Sequence, residues 1–287
     1  MVTKNANLTM NIDQYAVFGH PISHSKSPRI HEMFAKQTNQ NISYKAQEVP
    51  ATEFNSAVRH FFDEGGKGLN CTVPLKELAW QYATQLTNRA RLSKAVNTLA
   101  IQADGNILGD NTDGIGLIND LTINHNIPLF QKRILILGAG GATRGILEPL
   151  LSQQPHSITI ANRTASKAHL IVSEFQSLGT LYACDLDQLG KISFELIINA
   201  TSASLNNELP PLPQNLLASG GYCYDLAYSN QTTPFVRWGN QHNAQKSLDG
   251  LGMLVEQAAE AFYLWRGIRP ETLPVIQLLN DERMVST

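Results

Sequence analysis

The chain has 287 residues, 43% of them hydrophobic, and a formal net charge of −2. That length suffices for two domains with substantial cores, and the weak charge argues against nucleic acid or an anionic membrane as a main partner. No apolar run is long enough to span a bilayer, and three widely spaced cysteines, Cys71, Cys184 and Cys223, form neither a zinc pattern nor a disulfide framework.

Reduced thiols in a cytoplasmic protein are therefore the expectation. Residues 1–11 are polar, carry no signal-like hydrophobic region, and read as a frayed end. Residues 14–19 (Q-Y-A-V-F-G) read as the first strand. A polar loop, H-P-I-S-H-S-K-S-P at 20–28, leads into a helix with Ser27 as N-cap, Pro28 in its first turn, and Ile30, Met33 and Phe34 on its apolar face. Residues 42–49 read as a second strand. Thr52 caps a helix to residue 62 whose buried side is Phe54, Val58, Phe61 and Phe62, and Gly65 and Gly66 end it. A third strand, 68–73, is broken by Pro74, with Lys76 just beyond. Strand–helix–strand–helix–strand implies a parallel α/β layer. Residues 95–101 and 106–109 read as a hairpin around Asp104 and Gly105. Residues 114–124 then read as a helix crossing between domains.

The stretch 133–163 is the strongest local signal. R-I-L-I-L at 133–137 reads as a buried parallel strand. It runs into Gly138-Ala139-Gly140-Gly141-Ala142-Thr143, then a helix over 143–152 and a second strand over 157–161. That is half of a dinucleotide-binding fold. Gly138 permits the tight turn, and Gly140 lets backbone amides at the helix start approach a pyrophosphate. The strict fingerprint would have glycine where Thr143 stands. At the tip of the second strand, Asn162-Arg163-Thr164 with Lys167 carries no carboxylate to hold a ribose 2′-hydroxyl, whereas Arg163 suits a 2′-phosphate. This points to NADP. The competing reading makes Arg163 and Lys167 an ordinary solvated helix start, although cations there cost roughly 0.3–1 kcal/mol.

Later strands follow at 194–199 and 222–225, with a Pro-rich loop between them and a short helix over 233–240. Leu251 opens a long helix over 251–266, and a last helix covers 271–279. Helices returning after the cofactor sheet pack on the first domain and leave a cleft between the lobes.

Four polar clusters lie at strand ends or in loops, where α/β folds build sites. They are Ser23 to Ser27, Asn70-Cys71-Thr72 with Lys76, Asn97-Thr98, and Asn111-Thr112-Asp113. Hydroxyls, amides, one amine and one carboxylate suit a small polyhydroxy acid. Asn70 and Thr72 alternate on one strand face and so share a side. Each residue also has a plainer reading: Asn70 and Asn97 satisfying backbone, Lys76 a surface lysine, Asp113 a helix cap. His20, His24 and His31 have no metal-like partners and read as loop or surface histidines. No metal is expected.

These residues together resemble the shikimate dehydrogenase family over residues 15–267. The resemblance is carried by V-F-G-H-P-I-S-H-S-K-S-P (17–28), G-L-N-C-T-V-P-L-K (68–76), A-V-N-T (95–98), D-N-T-D-G-I-G (110–116), G-A-G-G-A-T-R-G (138–145), N-R-T (162–164), N-A-T-S (199–202), Y-D-L-A-Y (224–228) and D-G-L-G-M-L-V-E-Q-A (249–258). It implies a two-domain α/β fold: a parallel or mixed substrate domain (1–112), a Rossmann-type NADP-binding domain (113–249), and C-terminal helices (250–287) returning to the first. It implies reversible NADPH-dependent reduction of 3-dehydroshikimate to shikimate, on the route to chorismate and aromatic amino acids, in a cytoplasmic monomer or homodimer. Ser23 and Ser25 would hold the substrate carboxylate, and Asn70, Thr72, Asn97, Asp113 and Gln257 its ring hydroxyls. Tyr228 would lie against the substrate, and Lys76 and Asp113 would form the catalytic pair. Gly250 and Met253 would sit near the nicotinamide. Gly140, Gly141, Ala142, Asn162, Arg163, Thr164, Lys167 and Thr201 would line the cofactor site.

The departures are few: Cys71 where Val is usual, Lys167 where Arg is common, Ala203 where Ser or Gly is usual, and an extension before Asp13. Two rivals remain. A quinate/shikimate dehydrogenase with broader cofactor use is disfavoured by Arg163. A catalytically silent NADP-binding sensor would need the glycine turn but not Lys76 with Asp113.

Overall fold

A computed structural model describes residues 12–190 and 192–285. The expected frayed segment 1–11 lies outside the described residues.

Strand β1 (Asp13–Gly19) buries Tyr15 to Phe18 inside the first sheet, one strand in from its edge. Helix α1 (Ser27–Thr38) sinks Ile30 and Phe34 completely. Its cap differs from expectation. Lys26 occupies the N-cap without a side-chain bond, while Ser27 is inside the helix and buried. The capping hydroxyl is instead that of Ser25, which accepts from the Ser27 amide at 3.3 Å. Strand β2 (Ile42–Glu48) runs parallel to β1 at the sheet edge. Thr52 does not cap helix α2 (Phe54–Asp63), because a 3-10 turn over Ala51–Glu53 has already made the chain helical there. Strand β3 (Gly66–Cys71) pairs with the other side of β1, also parallel.

The chain then makes α3 (Lys76–Tyr82), β4 (Gln85–Leu86) and α4 (Asn88–Ser93), the last capped by Thr87. The hairpin β5 (Thr98–Ile101) and β6 (Ile107–Asp110) completes a six-stranded sheet of order β2-β1-β3-β5-β6-β4. Because β5 is antiparallel to both β3 and β6, the sheet is mixed. The parallel layer expected of the first three strands is β2-β1-β3, and β4 also runs parallel to its neighbour β6.

Helix α5 (Asp113–Asn119) continues into one π-helical turn, Asp120–Asn124. The second sheet follows: β7 (Arg133–Leu137), α6 (Gly141–Ser152), β8 (Ser157–Ala161), α7 (Ala165–Phe175), β9 (Leu181–Cys184), β10 (Phe194–Asn199), β11 (Leu217–Asp225), α8 (Pro234–Gln241) and β12 (Lys246–Leu248). Every pairing is parallel and the order is β12-β11-β10-β7-β8-β9, the doubly wound order with its switch point between β7 and β10.

Helix α9 (Leu251–Arg266) matches the sequence reading, whereas α10 (Leu273–Val285) starts two residues later than expected and runs further. Val255, Ala259 and Phe262 of α9 share one core with Ile30 and Phe34 of α1. Trp265 donates to the Leu99 carbonyl at 3.0 Å, and Arg266 meets Asp13 at 2.5 Å. Helix α9 also lies along α5. There a Cβ on Gly116 would stand 2.8 Å from the backbone nitrogen of Gln257, so only glycine lets the two helices approach. The lobes are thus joined by two touching helices.

Candidate active site

Lys76 opens α3 and Asp113 opens α5, and their side chains meet with Nζ 2.5 Å from Oδ2. Their side chains are 28% and 13% exposed, so Lys76 is no free surface lysine. Nor is Asp113 a cap: Thr112 occupies that position, and the Asp113 carboxylate points to other partners. Its Oδ1 accepts from Asn97 Nδ2 at 2.8 Å. Asn97 Oδ1 accepts from the Thr98 hydroxyl and the Thr112 amide, both at 2.9 Å. Asn70 Nδ2 donates to the Asn97 carbonyl and to Thr98 Oγ1, both at 3.0 Å, and Asn70 Oδ1 accepts from the Tyr44 hydroxyl at 2.7 Å.

The loop that carries Asp113 is braced below by Asp110. Arg89 grips it with two bonds of 2.7 and 2.5 Å, and Thr87 adds a third at 2.6 Å. Burial alone would raise the Asp110 pKa, but the guanidinium and the other donors hold it below the usual carboxylate range. Sequence reasoning missed Arg89 and Tyr44, since neither stands in a recognisable cluster.

Ser25, Asn70, Thr72, Lys76, Asn97, Asp113, Tyr228 and Gln257 border one cavity of about 410 Å³. Ala142, Gly250 and Met253 close it from the side of the glycine turn and the start of α9. Ser23 is exposed and does not border it, while Ser27 and His24 do. Burial raises the Tyr228 pKa, which keeps the phenol protonated.

His31 contradicts the sequence reading. It is not a surface histidine but fully buried, stacked on Tyr44 with ring centroids 4.0 Å apart. Among the described residues, neither ring nitrogen has a hydrogen-bond partner, and burial lowers its pKa to about 3. The neighbours that bury it, Phe262 and Trp265, lie far along the chain.

The glycine turn follows its expected physics. Gly138 has φ +103°, a conformation that penalises any side chain. Thr143 solves the missing glycine: it is fully buried and its hydroxyl donates to the Gly138 carbonyl at 2.8 Å, closing the turn. A Cβ on Gly140 or Gly141 would meet nothing within 4 Å, so open space lies at the start of the twelve-residue helix α6. At the tip of β8, Asn162 Nδ2 donates to the Thr164 carbonyl at 2.9 Å. Arg163, Thr164 and Lys167 are exposed, and among the described residues no side-chain partner holds Arg163 or Lys167. Asp185, which the sequence did not single out, caps α7 by accepting from the Ala165 amide at 3.1 Å. Thr201 donates to Asn199 Oδ1 at 2.7 Å, and Asn199 is tied to buried Asp225 at 3.0 Å. Among the described residues, no group of three His, Cys, Asp or Glu side chains is placed to hold a metal, and no helix is long and apolar enough to cross a membrane.

The shikimate dehydrogenase substrate binding domain pattern matches residues 17–99, shikimate / quinate 5-dehydrogenase matches 122–207, and the shikimate 5'-dehydrogenase C-terminal domain matches 250–279. A shikimate dehydrogenase (NADP(+)) of Methylococcus capsulatus is 59% identical over 271 residues, 94% of this chain and 97% of that protein. Among solved structures, an Ael1 enzyme from Pseudomonas putida superposes with TM-score 0.88 at 46% identity, covering 93% of this chain and 98% of that one. A shikimate 5-dehydrogenase from Thermus thermophilus, in complex with NADP(H) and shikimate, superposes with TM-score 0.83 at 31% identity, covering 93% and 98%.

Proposed function

Since this chain belongs to the shikimate dehydrogenase family, we propose that Lys76 and Asp113 are its catalytic pair and that the cavity they border holds the substrate. The activity itself is the reversible NADPH-dependent reduction of 3-dehydroshikimate to shikimate, a step of aromatic amino acid biosynthesis. The observation that carries the site assignment is the Lys76–Asp113 contact, placed on a cavity that the glycine turn also reaches through Ala142.

The residues present fit NADP. Open space over Gly140 and Gly141 leaves the first amides of α6 accessible to a pyrophosphate, and the untied cations Arg163 and Lys167 suit a 2′-phosphate. Asn162, Thr164 and Thr201 line the same side, and Gly250 and Met253 border the nicotinamide end. When bound, the nicotinamide supplies or receives the hydride.

The chain's own residues do the rest. Ser25 binds the substrate carboxylate, with Ser23 reaching in from the rim. Asn70, Thr72, Asn97, Asp113 and Gln257 take the ring hydroxyls, and Tyr228 lies against the ring. Lys76 Nζ gives a proton to the ketone oxygen as it becomes an alcohol, and takes it back in the reverse direction. Asp113 orients that ammonium and, through Oδ1, is itself oriented by Asn97. The division into 1–112, 113–249 and 250–287 belongs to this reading, since the cavity lies where those segments meet. So do a cytoplasmic location, which the three free cysteines suit, and a monomeric or homodimeric state.

Broader cofactor use and a silent sensor are both disfavoured: the relatives are named for NADP(+), and the sensor needs no intact amine–carboxylate pair. Turnover of shikimate with NADP, followed by nicotinamide absorbance, is the direct test. Failure to form NADPH from shikimate would overturn the reading.

A further inference from the structure

The polar residues of the cavity floor form a chain whose direction is fixed at every link. The Asn97 backbone carbonyl can only accept, so the end of Asn70 that faces it is the amide nitrogen. The second hydrogen of that nitrogen goes to Thr98 Oγ1, and the Thr98 hydroxyl then donates to Asn97 Oδ1. Asn97 Nδ2 in turn donates to Asp113, an acceptor-only carboxylate. Both Asn70 donors are spent within the protein, which leaves Oδ1 as its only end with capacity for a ligand. One lone pair of Oδ1 is taken by the Tyr44 hydroxyl at 2.7 Å, and the other is free among the described residues.

We infer that Tyr44 is a positioning residue for substrate recognition: its phenol, together with the Asn97 carbonyl, fixes Asn70 as an acceptor that only a ring hydroxyl of the substrate can satisfy. This rests on the reading above that Asn70 borders the bound substrate. An acceptor-only Asn70 cannot hold the reacting ketone oxygen, so it separates the ring hydroxyls from the carbonyl and sets which way round the ring sits. Burial keeps the Tyr44 phenol protonated, as its donor role requires. His31 serves as the shelf beneath it. The imidazole stacks 7° from parallel on the Tyr44 ring and touches no polar partner among the described residues, so it holds the phenol by its face alone.

The test is a kinetic double-mutant cycle of Tyr44→Phe and Asn70→Ala, with thermal melting and the NADP Michaelis constant measured throughout. Tyr44→Phe keeps the ring and its stack and removes only the hydroxyl. It should raise KM for shikimate about three- to tenfold, the usual worth of one neutral hydrogen bond, with kcat, NADP affinity and Tm nearly unchanged. In the Asn70→Ala background the same change should add nothing. An unchanged KM in Tyr44→Phe overturns the inference, as does an effect that persists undiminished when Asn70 is gone. If Asn70→Ala itself leaves shikimate KM at the wild-type value, the inference falls too, and the fault lies with the assignment of Asn70 to the substrate.

Discussion

The two halves of the site are built in opposite ways. On the first sheet, Asn70, Asn97, Asp113 and Lys76 are already bonded to one another and braced from behind by Tyr44, Thr98 and Asp110. On the second sheet, the glycine turn faces open space, and Arg163 and Lys167 have no side-chain partners among the described residues. The contrast follows from the ligands proposed for each side. A small ring with several hydroxyls can be told from its analogues only by donors and acceptors held rigidly in place, because each mismatch must leave a buried group unpaired. A phosphate needs amides and cations that are free to close on it. Rigidity therefore accompanies specificity on one side, and availability accompanies affinity on the other.

The largest test of that contrast is Lys76→Ala. It should lower kcat by about 10²–10⁴ while NADP affinity and Tm stay near wild type, as expected for loss of a general acid–base group. Asp113→Asn should lower kcat as well, and the double variant should cost less than the two together, because the pair acts as a unit. A Lys76→Ala enzyme with most of its turnover intact would falsify the mechanism. Next comes the open side. Arg163→Ala should raise the NADP Michaelis constant about ten- to a hundredfold and hardly change that for NAD, the worth of one charged phosphate contact. Equal effects on both cofactors would show that the exposed cation plays no part in the choice. A smaller effect separates the two serines. Ser25→Ala should weaken shikimate binding in calorimetry more than Ser23→Ala does, because only Ser25 borders the cavity. The reverse order would move the carboxylate site to the rim.

The rigid side also has a pH signature. Burial holds His31 near a pKa of about 3, against an ordinary 6.5. Between those values the unfolded chain carries a proton on this ring that the folded chain does not, so stability is full above about pH 6.5 and falls as the pH drops, by up to about 1.4 kcal/mol per pH unit. In His31→Phe this contribution should vanish, giving a flatter stability curve between about pH 4 and 6.5 in urea titrations. At neutral pH the variant should be at least as stable as wild type, because two unpaired buried nitrogens are gone. Parallel curves for the two proteins would place the proton elsewhere.

Much of this was visible in the residues alone. The second sheet announced itself through R-I-L-I-L, the glycine turn and the span of α9, since periodicity and turn chemistry are local properties. Lys76 and Asp113 stand in the sequence as members of two separate polar clusters; only the family resemblance pairs them, and the structure puts them in contact. What could not be read was whatever depends on neighbours distant in sequence. His31 looked exposed because Phe262 and Trp265, which bury it, come more than two hundred residues later. Ser27 looked like a cap because capping and lining a cavity call for the same small hydroxyl. Thr143 looked like a flaw in the glycine pattern until its hydroxyl was seen to close the turn. The short strands β4, β9 and β12 leave no mark in the sequence, because two to four residues carry no usable period unless a turn signal such as Asp104-Gly105 joins them.

The sharing of one core by α1 and α9 bears on how the molecule is made. A ribosome delivers chain from the amino end, and domains generally fold as they emerge. Here Ile30 and Phe34 lie in the first eighth of the sequence, yet Leu251, Val255, Phe262 and Val275 complete their core. The parallel sheet of residues 133–248 has all its strands in hand before that moment, and the first sheet does not have its cover. The lobe that is synthesised first must therefore wait for the lobe that is synthesised second. Gln257, which closes the cavity beside Asn97, arrives on the same late helix as the residues that seal the core. A nascent chain stalled short of α9 would expose the apolar face of Ile30 and Phe34 to chaperones and would lack Gln257, so the core and the site are completed by the same helix.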